Sequence, residues 1–249
     1  MKKFRSRLRK YLPIIIIALL MPSLTKADPA VAPIKEENGT QVYVVQMADA
    51  EYRIPVGYFR YVHTKPNEHD SSVLIDAALP DMHVIVAGSP ESPEVSKHSW
   101  GPIVHILLYD AKSTTSFEFR FAETKEYYGP IQPLGEQFGL QKFVTSKGSF
   151  GASIRPDSPV YSDKTVVEKP TPEQKTGLLA EFYTDVDTGN PSVYITCDGV
   201  AAAPSPSCSE IFTDRGLLYQ VDYGKSNLKD WAEIKEAAIK LMQGFVHAN

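Results

Sequence analysis

The stretch Glu210-Ile-Phe-Thr-Asp-Arg-Gly-Leu-Leu-Tyr-Gln-Val-Asp-Tyr223 holds two β-prone runs on either side of a turn. Glu210–Thr213 and Leu217–Tyr223 are rich in aromatic and branched residues, and Asp214-Arg-Gly216 between them is typical of a tight turn. Two such runs joined by a short, glycine-containing segment predict an antiparallel hairpin. The hairpin indicates a sheet in which neighbouring strands of the sequence pair with each other.

Similar runs extend the predicted sheet along the chain. Leu178–Tyr183 and Ser192–Cys197 predict another strand pair, and Ile103–Tyr109 has the length of a buried strand. Thr115–Phe121 alternates phenylalanine with polar residues, which predicts a half-buried strand, with Ala111–Thr114 as the hairpin loop before it. Further strands are predicted at Val42–Met47, Val56–His63, Ser72–Leu79, Met82–Ala87 and Leu140–Thr145.

The end of the chain predicts a helix. Asn227 is a suitable N-cap, and Asp230 lies in the first turn, where the helix dipole favours an acid. Apolar residues then recur at helical spacing: Leu228, Trp231, Ile234, Ala238, Leu241, Met242 and Phe245. The predicted fold class is therefore α+β, a mainly antiparallel β-sheet with a C-terminal amphipathic helix packed on it.

The first 27 residues have the composition of an export signal. Basic residues come first, the apolar run Ile14–Met21 follows, and Thr25 and Ala27 form a small-x-small site. These are the three parts of a secretory signal peptide, which we predict at residues 1–27. An uncleaved membrane anchor is the alternative, but the apolar run is shorter than the roughly 20 residues of a membrane span and is flanked by Pro13 and Pro22.

Removal of this signal changes the charge of the protein. The 249-residue chain has a formal charge of −4, but residues 1–27 contain seven of its 26 Lys and Arg and no Asp or Glu. The mature chain would carry a formal charge of −11, which counts against a nucleic-acid partner. We expect a periplasmic protein with no stable membrane span after cleavage.

Proline marks the boundaries that the sequence indicates within the mature chain. Residues 28–40 are polar and contain proline, which predicts a flexible lead-in to a globular domain at 41–249. Residues 155–176 hold four prolines among charged and hydroxyl residues. This segment is either a long surface loop or a joint between two lobes.

Cys197 and Cys208 are the two cysteines of the chain. In an exported protein they predict one disulfide, because the compartment is oxidising. A metal pair and a catalytic thiol are the alternatives. The ten residues between them match neither a Cys-x-x-Cys redox pair nor a zinc knuckle.

The familiar catalytic and cofactor motifs are missing from the sequence. It contains no Gly-x-Ser-x-Gly, His-Glu-x-x-His, Walker or dinucleotide-binding pattern. Asp185-Val-Asp187-Thr-Gly-Asn190 departs from the spacing of a calcium loop and is predicted as a turn. His63 and His69, beside Glu68 and Asp70, match no metal-ligand spacing, and His105 is expected to be a core or edge histidine. We therefore expect no cofactor, no metal and no enzymatic activity.

The C-terminal third carries a family resemblance, supported by shorter matches upstream. The residues that carry it are Pro191–Cys197, Pro206–Ser209, Gly216–Tyr223, Leu228–Ile234 and Phe245, with Ile54-Pro55, Tyr58-Phe59 and Ala77–Asp81. They resemble periplasmic immunity proteins encoded beside type VI secretion effectors, in particular the immunity partners of lipase or phospholipase effectors. The likeness covers most of residues 42–246 and lies mainly in scaffold residues.

The resemblance implies an exported protein that binds and neutralises a cognate secreted effector. It supplies no contact motif, so we predict contacts from charge and loop position instead: Glu68, Asp70, Glu91, Glu94, Asp185 and Asp187. Acidic loops of this kind would speed the encounter with a basic partner. A structural or accessory envelope protein, or a periplasmic hydrolase assembled from scattered acids, histidines and serines, are the alternatives.

Overall fold

The computed structural model of the chain describes residues 34–59, 72–86, 88–89, 100–111, 116–155, 157–162, 165–167, 169–185 and 191–247. The strands are β1 (Ile34–Glu37), β2 (Thr40–Met47), β3 (Ala50–Pro55), β4 (Ser72–Ala78), β5 (Ile103–Asp110), β6 (Ile131–Gln137), β7 (Leu140–Gly148), β8 (Tyr161–Ser162), β9 (Thr165–Val166), β10 (Leu179–Thr184), β11 (Val193–Cys197), β12 (Ser207–Asp214), β13 (Leu217–Gly224) and β14 (Val246–His247). The helices are α1 (Phe117–Tyr128), α2 (Pro172–Thr176) and α3 (Trp231–Phe245). The predicted signal peptide at 1–27 lies outside the described residues.

A large antiparallel sheet organises the fold. Its strand order is β4-β5-β13-β12-β11-β10-β7-β6, and a second sheet has the order β1-β2-β3-β14. β5 pairs with β13 and β7 with β10, so strands from both sides of the proline-rich segment 155–176 belong to one sheet. Within that segment, β8 and β9 form a small ladder and α2 begins at a capping box on Thr171.

The main core lies on one face of the large sheet, which we call the inner face. The second sheet and α3 both pack against it. Val45 and Ile54 from the second sheet, Ile106 and Val221 from the large sheet, and Ala238 from α3 are each completely buried there. The α+β class with a C-terminal helix on an antiparallel sheet is therefore confirmed.

Most of the predicted strands are present with nearly the expected limits. The hairpin predicted at Glu210–Thr213 and Leu217–Tyr223 is formed by β12 and β13, with Asp214 opposite Leu217. Apolar residues at every second position reach the inner face, which explains why alternation located these strands. The prediction is also confirmed for β2, β4, β5, β7, β10 and β11.

The prediction of a strand at Thr115–Phe121 is wrong, because Phe117–Tyr128 is the helix α1. Ser116 caps it by accepting a hydrogen bond from the Phe119 amide at 3.2 Å. Phe117 and Phe121 are buried while Phe119 is 58% exposed. Residues four apart share a helix face, so this sequence satisfies both a strand and a helix period. The hairpin expected across Ala111–Thr114 therefore lacks its second strand, and residues 112–115 lie outside the described part.

Three further segments differ from the prediction. The strand predicted at Val56–His63 is a 3-10 turn at Val56–Tyr58, because Pro55 ends the β3 ladder; residues 60–63 lie outside the described part. In Met82–Ala87, the described residues contribute an isolated bridge from His83 to Ala78 rather than a strand. Part of the lead-in expected to be flexible, at 28–40, is β1, which pairs with β2.

The C-terminal helix starts later than predicted. Lys225–Asp230 form a 3-10 helix, and α3 begins at Trp231 with Asp230 in the cap position. Asn227 is not the cap, since its side-chain amide donates to the Gly101 carbonyl at 3.2 Å. No helix among the described residues has both the length and the apolar character to cross a membrane.

Candidate functional site

By the described residues, the outer face of the large sheet, opposite the main core, is only partly covered. α1 packs there through Phe117 and Phe121, whose rings lie 5.5 and 5.3 Å from the ring of Tyr194. Phe182 belongs to the same cluster, with its ring tilted at 5.9 Å from Phe121 and stacked at 5.8 Å from Tyr194. This aromatic cluster fixes α1 over one end of the face.

A row of polar residues crosses the other end of the outer face. In the strand register, Asp76 lies opposite His105, His105 opposite Asp222, Asp222 opposite Ser209, and Ser209 opposite Thr196. Residues directly opposite each other in register point to the same face. Five neighbouring strands therefore contribute one polar side chain each to a continuous row.

Next to this row lies a cavity of about 420 Å³, which we call the sheet-face pocket. Its floor includes Thr196, Ser209, Gln220 and Asp222, and one wall is α1. The other lining residues are Trp100, Arg120, Thr124, Tyr127, Tyr128, Phe150, Tyr194, Cys197, Asp198, Ser207, Cys208 and Ile211. The volume is within the range of protein sites that receive a small molecule or a side chain.

Aromatic side chains surround the pocket, and we call Trp100, Tyr127, Tyr128 and Phe150 the aromatic rim. Phe150 is 77% exposed and Tyr127 is 52% exposed. Tyr127 and Tyr128 contact each other edge to face at 5.4 Å. Large exposed rings beside a cavity are typical of the anchors that dominate binding energy at protein interfaces.

The backbone at Phe150 is strained. Its φ of 53° and ψ of 34° are left-handed, a region that bulky side chains rarely adopt. The next residue, Gly151, is needed because a Cβ there would lie 2.6 Å from the Tyr127 ring. The chain thus accepts backbone strain at Phe150, next to a glycine that leaves room for the Tyr127 ring, and both side chains line the pocket.

Asp222 is a partly buried carboxylate at the floor of the pocket. The Gln220 amide donates to both of its oxygens at 3.3 Å, and Ser209 is a second hydrogen-bond partner. Burial raises the pKa of Asp222, and the nearby charge that opposes this is His105. Among the described residues, no Lys or Arg forms an ion pair with Asp222.

The other end of the polar row is an Asp–His pair. His105 Nδ1 lies 2.6 Å from Asp76 Oδ1, and the Trp100 ring is 5.1 Å from the imidazole. The sequence predicts a satisfied core or edge histidine, and His105 is a hydrogen-bonded residue of an interior strand, since β5 lies between β4 and β13. In the described part of the chain, no hydroxyl or thiol bonds to its ring, and no set of three His, Cys, Asp or Glu could hold a metal ion.

The disulfide predicted from the sequence is confirmed. Cys197 and Cys208 are opposite each other on β11 and β12, with an S–S distance of 2.02 Å. The bridge lies on the inner face, beneath one end of the pocket. Asp198 follows it and accepts hydrogen bonds from the amide and hydroxyl of Ser207 at 2.9 Å, while Lys225 donates to the Asp198 carbonyl at 2.7 Å.

Most of the predicted partner-binding acids cannot be compared with this site. Glu68, Asp70, Glu91, Glu94 and Asp187 lie outside the described residues, as do His63 and His69. Asp185 is described, and its carboxylate accepts hydrogen bonds from the Ser192 amide at 3.0 Å and the Ser192 hydroxyl at 2.5 Å. It braces the connection between β10 and β11 and does not line the pocket.

The sheet-face pocket was not predicted from the sequence, although the polar residues of one of its strands already alternate with apolar ones. In Leu217–Tyr223, the polar residues Gln220 and Asp222 alternate with apolar ones and so point away from the core. Which residues of other strands lie beside them depends on the register of five strands. The sequence of one strand does not determine that register.

These features define a class of protein: an antiparallel α+β fold with a disulfide and a partly open, aromatic-rimmed sheet face. No known protein family and no curated protein sequence matches the chain. Its fold is similar to that of Smlt3025, an immunity protein of the Stenotrophomonas maltophilia type IV secretion system, at 14% identity and a TM-score of 0.50 over 87% of this chain and 99% of that one. A second similar structure is the Neisseria meningitidis iron-regulated outer membrane lipoprotein FrpD, at 12% identity and a TM-score of 0.45 over 88% and 99% of the two chains.

Proposed function

We propose that this chain is an immunity protein that binds a toxic effector of a bacterial secretion system and neutralises it by stoichiometric inhibition. The observation that carries the proposal is the aromatic rim around the sheet-face pocket. A strained Phe150 that remains 77% exposed contributes little to the core, so its position is best explained by a partner. The similarity of the fold to an immunity protein supports the same interpretation.

The proposed compartment is the periplasm. The basic and apolar segments of residues 1–27 predict export, and the Cys197–Cys208 bridge is the kind of bond that persists in an oxidising compartment. From the family resemblance of the sequence, we further propose that the partner is a type VI effector with lipase or phospholipase activity. The acids Glu68, Asp70, Glu91, Glu94, Asp185 and Asp187 stay predicted contacts with the effector.

A survival assay tests this proposal. The toxin encoded by the adjacent gene is exported to the periplasm of a host that also expresses this chain. We expect the host to survive with the chain and to die without it. Death in both cultures, with the chain folded and exported, would contradict the immunity function and favour an accessory envelope protein.

Two matched variants locate the binding face. Phe150→Asn and Phe138→Asn each replace an exposed phenylalanine at a left-handed position, with φ of 53° and 56°. Asparagine tolerates that conformation. Phe150 belongs to the rim, whereas Phe138 is in the β6–β7 turn, where its carbonyl accepts from the Trp231 indole of α3. We expect Phe150→Asn to impair protection and Phe138→Asn to leave it intact.

A further inference from the structure

The carboxylate of Asp222 forms no ion pair with a lysine or arginine in the part of the chain that the structure describes. It is partly buried, is hydrogen-bonded by two neutral side chains, and lies opposite His105 in the strand register, which is already bound to Asp76. A buried carboxylate without a cation is costly. Such an arrangement becomes favourable when a ligand brings the missing positive charge.

The lining of the pocket favours a flat cation. Rings of the aromatic rim border the same space as Asp222. A guanidinium group stacks on aromatic faces, is weakly hydrated and pairs with a carboxylate through two parallel hydrogen bonds. A lysine ammonium is a strongly hydrated point charge and uses such surfaces less well.

The cation that the pocket already contains does not fill this role. The guanidinium carbon of Arg120 lies 5.3 Å from the centre of the Tyr109 ring, and the charge that acts on Asp222 is that of His105. Asp198 lines the pocket as a second acid. The pocket is therefore complementary to a positive group at its Asp222 end.

We infer that the sheet-face pocket receives an arginine side chain of the effector, whose guanidinium pairs with Asp222 and stacks against the aromatic rim. This inference rests on the proposed function, because it names the group by which the toxin is held. An inserted arginine places the effector surface directly over the outer face of the sheet.

The test uses the purified chain and small probes instead of the effector. N-acetyl-arginine amide, its lysine counterpart and the neutral N-acetyl-citrulline amide are titrated while the indole signals are followed by NMR. The chain has two tryptophans, Trp100 in the rim and Trp231 on the opposite side of the sheet. Trp231→Phe assigns the two signals, and Trp231 serves as an internal reference.

We expect the arginine probe to shift the Trp100 signal and leave that of Trp231 unchanged, with the citrulline probe at least about tenfold weaker. An equal response to citrulline, no response to arginine, or a stronger response to lysine would each overturn the assignment. Asp222→Asn should reduce the arginine response by about tenfold, and Asp157→Asn, the same change at an exposed acid outside the pocket, should not. The probe series on the wild-type chain decides the question even if Asp222→Asn folds poorly.

The two proposals fail separately. If the chain protects against the adjacent toxin but the arginine probe does not bind, the immunity function stands and the pocket assignment is wrong. If the arginine probe binds in a manner that depends on Asp222 but the chain gives no protection, the cation pocket stands and the immunity function is wrong.

Discussion

Replacement of Glu210 by glutamine should change how stability depends on pH. Glu210 is completely buried in β12, on the inner face of the large sheet. Its Oε2 accepts a hydrogen bond from the Tyr223 hydroxyl at 3.0 Å, while its Oε1 has no partner among the described residues. Burial raises the pKa of Glu210 from 4.5 to about 8, against smaller lowering contributions from Tyr223 and Lys235.

The raised pKa means that the folded state holds the Glu210 proton more tightly than the unfolded state does. The associated stability is fully present below about pH 4.5 and is lost as the pH rises through 8. At 1.36 kcal/mol per pKa unit, this loss amounts to about 4 kcal/mol between about pH 5 and about pH 9. A neutral glutamine does not titrate and should escape the loss.

Urea denaturation near the two ends of this pH range measures the effect. The free energy of unfolding of the wild type should fall about 4 kcal/mol further than that of Glu210→Gln. Other titrating groups, including Asp222, are shared by both proteins and cancel in the comparison. Glu236→Gln, the same change at an exposed position on α3, should follow the wild-type profile. Parallel profiles for Glu210→Gln and the wild type would refute the reasoning.

Three further predictions concern the free energy of unfolding. Reduction of the Cys197–Cys208 bridge should lower the free energy of unfolding by about 2–4 kcal/mol, and an unchanged urea midpoint in reductant would contradict its stabilising role. Phe150→Asn and Phe138→Asn should each raise that free energy by about 1 kcal/mol in thermal melts, because left-handed strain is relieved; a lower melting temperature would count against the strain. Ser116→Ala should cost about 1 kcal/mol through loss of the α1 cap, whereas a neutral result would argue against a helix beginning there.

The strands could be predicted because their pattern repeats a physical requirement. Val104, Ile106 and Leu108 of β5 are all completely buried on one face, as are Val221 and Tyr223 of β13. A strand that buries one face must place apolar side chains at every second residue. The pattern therefore locates the strand without knowledge of its neighbours.

The segments that were mispredicted carry two competing local signals. Phe117 and Phe121 are compatible with both the strand period and the helix period. The chain forms the helix α1, which Ser116 caps and which continues to Tyr128. At Val56–Tyr58 the proline before the segment prevents the strand that its apolar residues suggest. In both places the neighbouring residues outweigh the hydrophobic pattern.

The candidate site could not be predicted because it is assembled from distant parts of the sequence. Asp222 and Ser209 are close in the sequence and face the same way, but Trp100 and Phe150 reach the pocket from separate segments. Their convergence depends on strand register and on where α1 ends. The sequence did predict the disulfide beneath the pocket, because the compartment and the pair of cysteines suffice for that inference.

The most direct test of the central claim is the affinity of the purified chain for the toxin encoded by the adjacent gene, measured by titration calorimetry. We expect one-to-one binding by the wild type and by Phe138→Asn with similar affinity, and binding at least about tenfold weaker for Phe150→Asn. Equal affinities for all three proteins would contradict the role of the aromatic rim. No binding by the folded wild-type chain would contradict the proposed function itself.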